Sequence, residues 1–203
     1  MTSRLMTPAL AAIGALVLGL GAGLAAGSDA ESATTATAPG PVDIGFSQDM
    51  IVHHEQAVLM AQLVRARTRD ATVAALADGI IADQLLDIGT LRGYLALWQA
   101  PVLPTGGPMS WMAASHEHVH AGAGAGSMPG MATAAELNSL RTATINRVDR
   151  VFLTLMSRHH AGGLAMLTHA GLNATVPAIR NLANRIGFHQ QEEMRTIHLL
   201  SAA

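Results

Sequence analysis

The sequence contains no cysteine and no lysine, and only 3% of its 203 residues are aromatic. The lack of cysteine excludes disulfide bonds, iron–sulfur clusters, cysteine-ligated zinc and thiol catalysis. All twelve basic residues are arginines, they form no basic run, and the formal net charge is −2. This sparse and balanced charge argues against nucleic acid as a partner.

Histidine, methionine and small apolar residues are what the sequence has in abundance. Ten histidines and eleven methionines are more than a small domain needs, and half of the residues are hydrophobic. A core with so few aromatic side chains has to be built from Ala, Leu, Ile, Val and Met. Because the apolar residues also recur at helical spacing, the composition predicts an all-α protein.

The N-terminal segment, residues 1–28, is predicted to be an export signal. Arg4 precedes an apolar stretch over residues 6–26, and small residues follow it up to Ser28. An uncleaved membrane anchor is the alternative, because about 20 apolar residues can span a bilayer. In either case we expect a periplasmic, cell-surface or secreted domain that touches the membrane only through an uncleaved segment. Residues 29–42 are rich in Ala, Thr, Ser, Pro and Gly and are predicted to be a disordered spacer.

The rest of the chain contains an internal duplication. When the sequence is shifted against itself by 106 residues, ten positions match without a gap. The matched residues of the first copy are Phe46, Met50, His53, His54, Met60, Leu76, Ala77, Ile80, Gln84 and Thr90. Their partners are Phe152, Met156, His159, His160, Met166, Leu182, Ala183, Ile186, Gln190 and Thr196. Since both His-His pairs coincide, we interpret the chain as two copies of one unit.

Each unit has the pattern of a helical hairpin. In the first unit, apolar residues recur every three or four positions from Asp43, the predicted N-cap, to about Arg67. Asp70 is predicted to cap a second helix, which continues to about Gln99 and is stopped by Pro101.

The second unit is predicted to begin with a T-x-x-E capping box at Thr133 and to continue as one helix to about Ala170. Thr175 is the predicted cap of a last helix that continues to about Leu200. The hairpins at residues 43–100 and 133–200, joined by a linker at residues 101–132, predict a four-helix bundle.

His53 and His159 lie on the apolar stripes of the predicted helices, whereas His54 and His160 point about 100° away, toward a neighbouring helix or the bundle edge. Because a bundle core is a usual place for a metal site, the repeated histidines are candidate metal ligands. The candidate ligands of the bundle are His53, His54, His159, His160, His169, Met50, Met60, Met156 and Met166. The residues that could orient the imidazoles are Gln84, Asp87, Gln190 and Glu193. The alternative is that the buried histidines only form hydrogen bonds with these four residues while the methionines fill space.

The linker carries a second candidate metal site in the stretch MSWMAASHEHVHAGAGAGSMPGM. Its candidate ligands are His116, His118, His120, Met109, Met112, Met128 and Met131. Thioether and imidazole donors without thiolate favour copper, with Cu(I) or Ag(I) at methionine and Cu(II) or zinc also accepted by histidine. The alternative is an exposed loop whose methionines pack on the bundle.

Two classes of metal enzyme are disfavoured by the sequence. His116 to His120 match H-E-x-x-H, but the AGAGAGS stretch that follows cannot continue the rigid helix of a zinc protease. Di-iron and di-manganese oxidases need carboxylates and E-x-x-H motifs on the bundle helices. The predicted bundle helices contain no E-x-x-H.

The pattern F-x-x-x-M-x-x-H-H-x-x-A-x-x-M-A at residues 46–61 resembles the domain-of-unknown-function 305 family, as do Gln84-x-x-Asp87 and the MPGM stretch at residues 128–131. The resemblance covers residues 43–200. It implies a ferritin-like four-helix fold that is usually exported. It also implies copper, since some relatives are described as periplasmic copper-binding or copper-resistance proteins.

The second motif departs from the first, among other places, at a pair of glycines. It has Gly162 and Gly163 where the first motif has Gln56 and Ala57. Because glycine has no side chain, we expect the pair to let another backbone approach closely, at a cost of about 1 kcal/mol of helix stability per residue.

These observations predict a non-enzymatic, exported protein that sequesters copper or hands it over, with silver or zinc as alternative metals. A metal-accepting protein is a further expected partner. The second hypothesis is a structural or interaction module whose buried histidines specify packing, and the third is a metal-dependent enzyme.

Overall fold

The computed structural model describes residues 37–112 and 128–202. Within these two ranges the chain forms five α-helices and no β-strand. The helices are α1 (Pro41–Arg65), α2 (Ala71–Leu97), α3 (Ala134–Thr142), α4 (Val148–Asn173) and α5 (Pro177–Ala202). One 3₁₀ turn, Ser110–Met112, follows α2. The predicted signal segment and the linker histidines His116, His118 and His120 lie outside the described residues.

The four long helices form a bundle of two hairpins. α1 packs on α2, α4 packs on α5, and α1 packs on α4, with a lighter contact between α2 and α5. One half of the core contains Phe46, Leu91, Leu167 and Leu182, and the other contains Val64, Val73, Phe152 and Ile197. The start of α1 therefore lies beside the ends of α2 and α4, so neighbouring helices are antiparallel. The all-α four-helix bundle predicted from the sequence is confirmed.

The start of α1 differs from the prediction. The helix begins at Pro41, because a proline without an N–H fits the first helical turn, and Asp43 is its third residue rather than its N-cap. The buried Asp43 carboxylate accepts a hydrogen bond from the N–H of Gly40 at 2.8 Å. It also accepts from the N–H groups of Thr175 at 3.0 Å and Val176 at 2.9 Å. One carboxylate thus closes the start of α1 and ties it to the turn before α5.

The single helix predicted from Thr133 to Ala170 is wrong, because the chain forms α3 and α4 separately. The predicted capping box is present, since the Thr133 hydroxyl and the Glu136 carboxylate each accept the other residue's N–H. Residues 142–146 read TATIN, which are mostly poor helix formers. The Arg67 guanidinium donates to the carbonyls of Leu140, Arg141 and Ala143, so the end of α3 is satisfied without continuing the helix.

No helix in residues 37–112 and 128–202 is both long and apolar enough to cross a lipid bilayer.

Candidate metal centre

The four repeated histidines meet in the middle of the bundle. His53 and His54 come from α1, His159 and His160 come from α4, and all four side chains are completely buried. The rings of His53 and His159 lie 3.8 Å apart between centroids, with 34° between their planes. Within each pair the ring centroids are 6.4 Å and 6.2 Å apart. The structure therefore brings together the residues that the duplication singled out.

A carboxylate lies beside each of the two outer histidines, at unequal distances. His160 Nε2 lies 2.5 Å from Glu193 Oε2, whereas His54 Nε2 lies 3.6 Å from Asp87 Oδ2. The other oxygen of Asp87 accepts from Arg185 at 3.1 Å. Aspartate is shorter than glutamate by one methylene and its carboxylate is shared here, so His54 is held less firmly than His160.

Most polar atoms of the cluster have no hydrogen-bond partner among the described residues. This holds for both ring nitrogens of His53, His54 and His159 and for Nδ1 of His160. The side-chain amides of Gln84 and Gln190 are also buried and have no hydrogen-bond partner among the described residues. Leaving a buried polar group unpaired costs about 1–3 kcal/mol, and native proteins rarely leave several together.

Burial keeps the two central histidines neutral. It lowers the pKa of His53 to about 3, and the charges of His54 and His160 act in the same direction. Burial, followed by the charge of His53, also lowers the pKa of His159 well below 6.5. The Pro129 carbonyl lies beside His53 and opposes the shift in its pKa, although it does not meet the geometry of a hydrogen bond. A neutral imidazole offers a lone pair, which is the form that binds metal.

The metal-free protein should lose stability as the pH falls below about 6.5, the pKa of a histidine in the unfolded chain. The folded pKa of His53 is about 3 and that of His159 is also lowered, so the unfolded state binds more protons below that pH. The stabilising contribution is therefore complete above the unfolded pKa and is lost as the pH falls toward the folded one. Between about pH 7 and about pH 5 we expect a loss on the order of 3 kcal/mol, measured by urea unfolding. A flat profile over that range would contradict it.

Four methionines frame the histidines. Met50 and Met166 belong to one half of the hydrophobic core, and Met60 and Met156 belong to the other. All four side chains are completely buried. Soft thioether sulfur is thus present in the core on both sides of the imidazoles.

The other candidate ligands with described positions are His169 and the linker methionines. His169 packs edge-on against Trp111, with ring centroids 5.4 Å apart. It follows His159 by ten residues, or about 15 Å along the helix. In the linker, Met128 is buried, and Met109, Met112 and Met131 are partly buried against the core. The linker methionines therefore pack on the bundle, as the alternative interpretation of the linker expected.

The double glycine admits two different neighbours, which confirms the close approach expected of it. A Cβ on Gly162 would lie 2.3 Å from the Pro129 carbonyl oxygen. A Cβ on Gly163 would lie 3.1 Å from His53 Cε1. Gly130 has a positive φ of 82°, and a Cβ on it would lie 3.0 Å from the Cα of Gly162. The glycines thus let a backbone segment and an imidazole lie directly on α4.

That backbone segment, residues 128–132, is here called the strap. Gln56 of α1 holds its end, because its amide oxygen accepts from the N–H of Ala132 at 2.6 Å and its amide nitrogen donates to the Ala132 carbonyl at 3.0 Å. Gln56 and Gly162 occupy equivalent positions of the repeat. Their difference was the sequence signal for the strap, because one residue binds it and the other makes room for it.

Asp49 was not predicted as a functional residue from the sequence, and it holds residues 109–111 of the linker. Its buried carboxylate accepts from Trp111 Nε1 and from the N–H of Met109, both at 2.7 Å. The only available signal was an acidic residue directly before Met50 of the repeated motif.

The described residues contain no group of three or more His, Asp or Glu side chains that could hold a metal ion by themselves. The two closest histidine rings of the cluster are those of His53 and His159. The buried methionines add thioether sulfurs to the donors of the core.

The fold and the site define a four-helix bundle with a buried double-histidine core. The chain matches the model of the domain of unknown function DUF305 over residues 43–200 and belongs to this family. A DUF305 protein from Streptomyces coelicolor is 37% identical, with a TM-score of 0.71, over 79% of this chain and 92% of the other. A DUF305 fragment from Deinococcus radiodurans is 30% identical, with a TM-score of 0.66, over 81% and 97%. No curated protein matches the sequence.

CopM has the same fold. Its Cu(I)-bound form is 22% identical to this chain, with a TM-score of 0.59, over 78% of this chain and 94% of CopM. Its Cu(II)-bound form is 23% identical over 79% and 96%, with a TM-score of 0.59. At this identity the likeness shows the fold alone.

Proposed function

We propose that this protein binds Cu(I), with Ag(I) as an equivalent ion, in the core of the bundle and sequesters the metal or hands it on without catalysing a reaction. The observation that carries the proposal is the cluster of seven unpaired ring nitrogens on four completely buried histidines. A bound ion would give one ring nitrogen of His53 and one of His159 the partner that the described residues do not supply. His53 and His159 would hold the ion, and the thioethers of the buried methionines would supply the soft donors that Cu(I) prefers.

The charge of the site favours a monovalent ion. Burying a charge is costly unless nearby groups compensate it. The carboxylates that pair with the cluster are Glu193 and Asp87, and Asp87 already pairs with Arg185. A divalent ion would leave more charge uncompensated in the same surroundings, and neutral imidazole with thioether suits Cu(I) better than zinc.

Relatives support the same metal. CopM, which shares the fold, is known in Cu(I)-, Cu(II)- and silver-bound forms. Export is also part of the proposal, because residues 1–28 have the pattern of a signal. The Streptomyces coelicolor relative is described, provisionally, as a secreted protein.

The second candidate function is a structural module whose histidines specify packing. The close contact of His160 with Glu193 and the packing of the linker methionines on the core favour it. Under this hypothesis the histidines contribute to folding and metal uptake is incidental.

An anaerobic Cu(I) titration of residues 29–203 against a chromophoric chelator tests the proposal. A parallel variant carries His116→Ala, His118→Ala and His120→Ala. We expect one tightly bound Cu(I) whose affinity changes less than about threefold in the variant, a difference below about 0.7 kcal/mol. Zinc at equal concentration should not displace it.

The other outcomes separate the hypotheses. Binding that disappears in the linker variant would place the metal on the linker. No binding by either protein would favour the structural module.

A further inference from the structure

The buried histidines raise the question of how a metal ion reaches them. Their side chains are completely shielded from solvent, so part of the structure has to move before an ion can enter. The four long helices are held together by both halves of the hydrophobic core, and separating them would expose many large side chains. The strap is a shorter segment that buries only the side chains of Met128 and Ala132, with Met131 partly buried against the core.

The strap lies directly against the cluster. The Pro129 carbonyl lies beside the ring of His53. It also lies against the backbone of α4 at Gly162, where a Cβ would be 2.3 Å from the carbonyl oxygen. A Cβ on Gly130 would lie 2.8 Å from the carbonyl oxygen of His159, so the turn also touches the second central histidine residue. The strap therefore covers the place where α1 and α4 bring His53 and His159 together.

Two residues at equivalent positions of the repeat keep the strap in place. Gln56 holds Ala132 with two hydrogen bonds, at 2.6 Å and 3.0 Å. Gly162 has no side chain and thereby leaves the room that the Pro129 carbonyl occupies. Neither residue is itself a metal donor of the cluster. They can therefore control access without changing the ligands.

We propose that the strap is the gate of the histidine cluster, held shut by Gln56 and seated on Gly162, and that its opening sets the rates of metal entry and release. The strap carries Met128 and Met131, so the segment that moves brings two thioethers to the entrance, as suits a soft monovalent ion. The identity of the ion rests on the proposed function, whereas the gating of the histidines does not.

The test compares Gln56→Ala and Gly162→Ala with the natural protein. Gly79→Ala is the matched control, because a Cβ on this helical glycine meets nothing within 4 Å. The first readout needs no metal: diethyl pyrocarbonate acylates neutral, accessible imidazoles, and mass spectrometry of peptides gives the rate at each histidine. The exposed His198 is the internal reference.

In both strap variants, His53 and His159 should be acylated about tenfold faster relative to His198, as expected from a loss of about 1.4 kcal/mol of gate closure. The control should match the natural protein. The second readout is Cu(I) exchange with a chromophoric chelator, followed by stopped-flow absorbance. Loading and release should both accelerate about tenfold, with affinity changed by less than about threefold.

Unchanged acylation in both strap variants would overturn the gate, and so would an equal increase in the Gly79→Ala control. Faster acylation in proteins that bind no Cu(I) would support the gate and reject the proposed function. Because Gln56→Ala removes only a side chain at the edge of the cluster, the test stands even if Gly162→Ala fails to fold.

Discussion

Replacing His53 and His159 together by leucine should lower the Cu(I) affinity by a factor of about 1,000 or more, while the metal-free protein stays at least as stable as the natural one. The first effect would be the loss of the two proposed ligands, each contributing about 2 kcal/mol to binding. The second follows from burial. Both rings are completely buried without hydrogen-bond partners in the described structure, and each unpaired polar group costs about 1–3 kcal/mol. Leucine has a similar volume and no such cost.

This double substitution separates the two leading hypotheses, because they predict opposite results. A chelator competition gives the Cu(I) affinity, and urea unfolding of the metal-free protein gives the free energy of unfolding. If the histidines serve packing, the variant should be destabilised and its metal uptake unchanged. His198→Leu, at an exposed position of α5, is the control and should change neither quantity.

Asp43→Ala should lower the free energy of unfolding by about 3–5 kcal/mol, which is a large part of the stability of a small domain. The carboxylate is completely buried and accepts three backbone N–H groups, those of Gly40, Thr175 and Val176. Hydrogen bonds to a charged group contribute about 1.5–3 kcal/mol each, and the N–H groups left behind are partly buried. The substitution also releases the start of α1 from the turn that precedes α5.

The duplication supplies a matched control for this prediction. Asp149 lies 106 residues after Asp43, in the first turn of α4. Its Oδ1 is buried and has no hydrogen-bond partner within the described residues. Asp149→Ala should therefore change the free energy of unfolding by less than about 1 kcal/mol. Equal effects of the two substitutions, measured by urea unfolding, would show that Asp43 acts through its charge or helix position rather than through its three bonds.

The distant hydrogen-bond partners of Asp43 could not be predicted from the sequence. Asp43 and Asp149 are acidic residues at equivalent positions of the repeat, but the sequence predicted an N-cap role for Asp43 and placed Asp149 inside a continuous helix. The structure gives Asp43 partners 132 and 133 residues away, whereas Oδ1 of Asp149 has no hydrogen-bond partner within the described residues. Such partners depend on how the two hairpins dock, and no local pattern contains that information.

The break between α3 and α4 has the same origin. The capping box at Thr133 was correctly predicted, because its two hydrogen bonds join residues three positions apart. The end of α3 was missed, because Arg67 of the first hairpin satisfies its carbonyls. Poor helix formers in residues 142–146 allow a break, and a distant guanidinium stabilises it there.

For the histidine cluster, the repeat was enough to select His53, His54, His159 and His160. An apolar stripe with a period of 3.6 residues has to face the core, which placed His53 and His159 there. The same periodicity determined the all-α class and the two hairpins. Packing decided the remainder. It brought His53 and His159 together, left Gln84 and Gln190 without hydrogen-bond partners among the described residues, and placed the strap between Gln56 and Gly162. Helical periodicity specifies which face of a helix is buried, but the neighbour that covers that face is set by contacts between residues far apart in the chain.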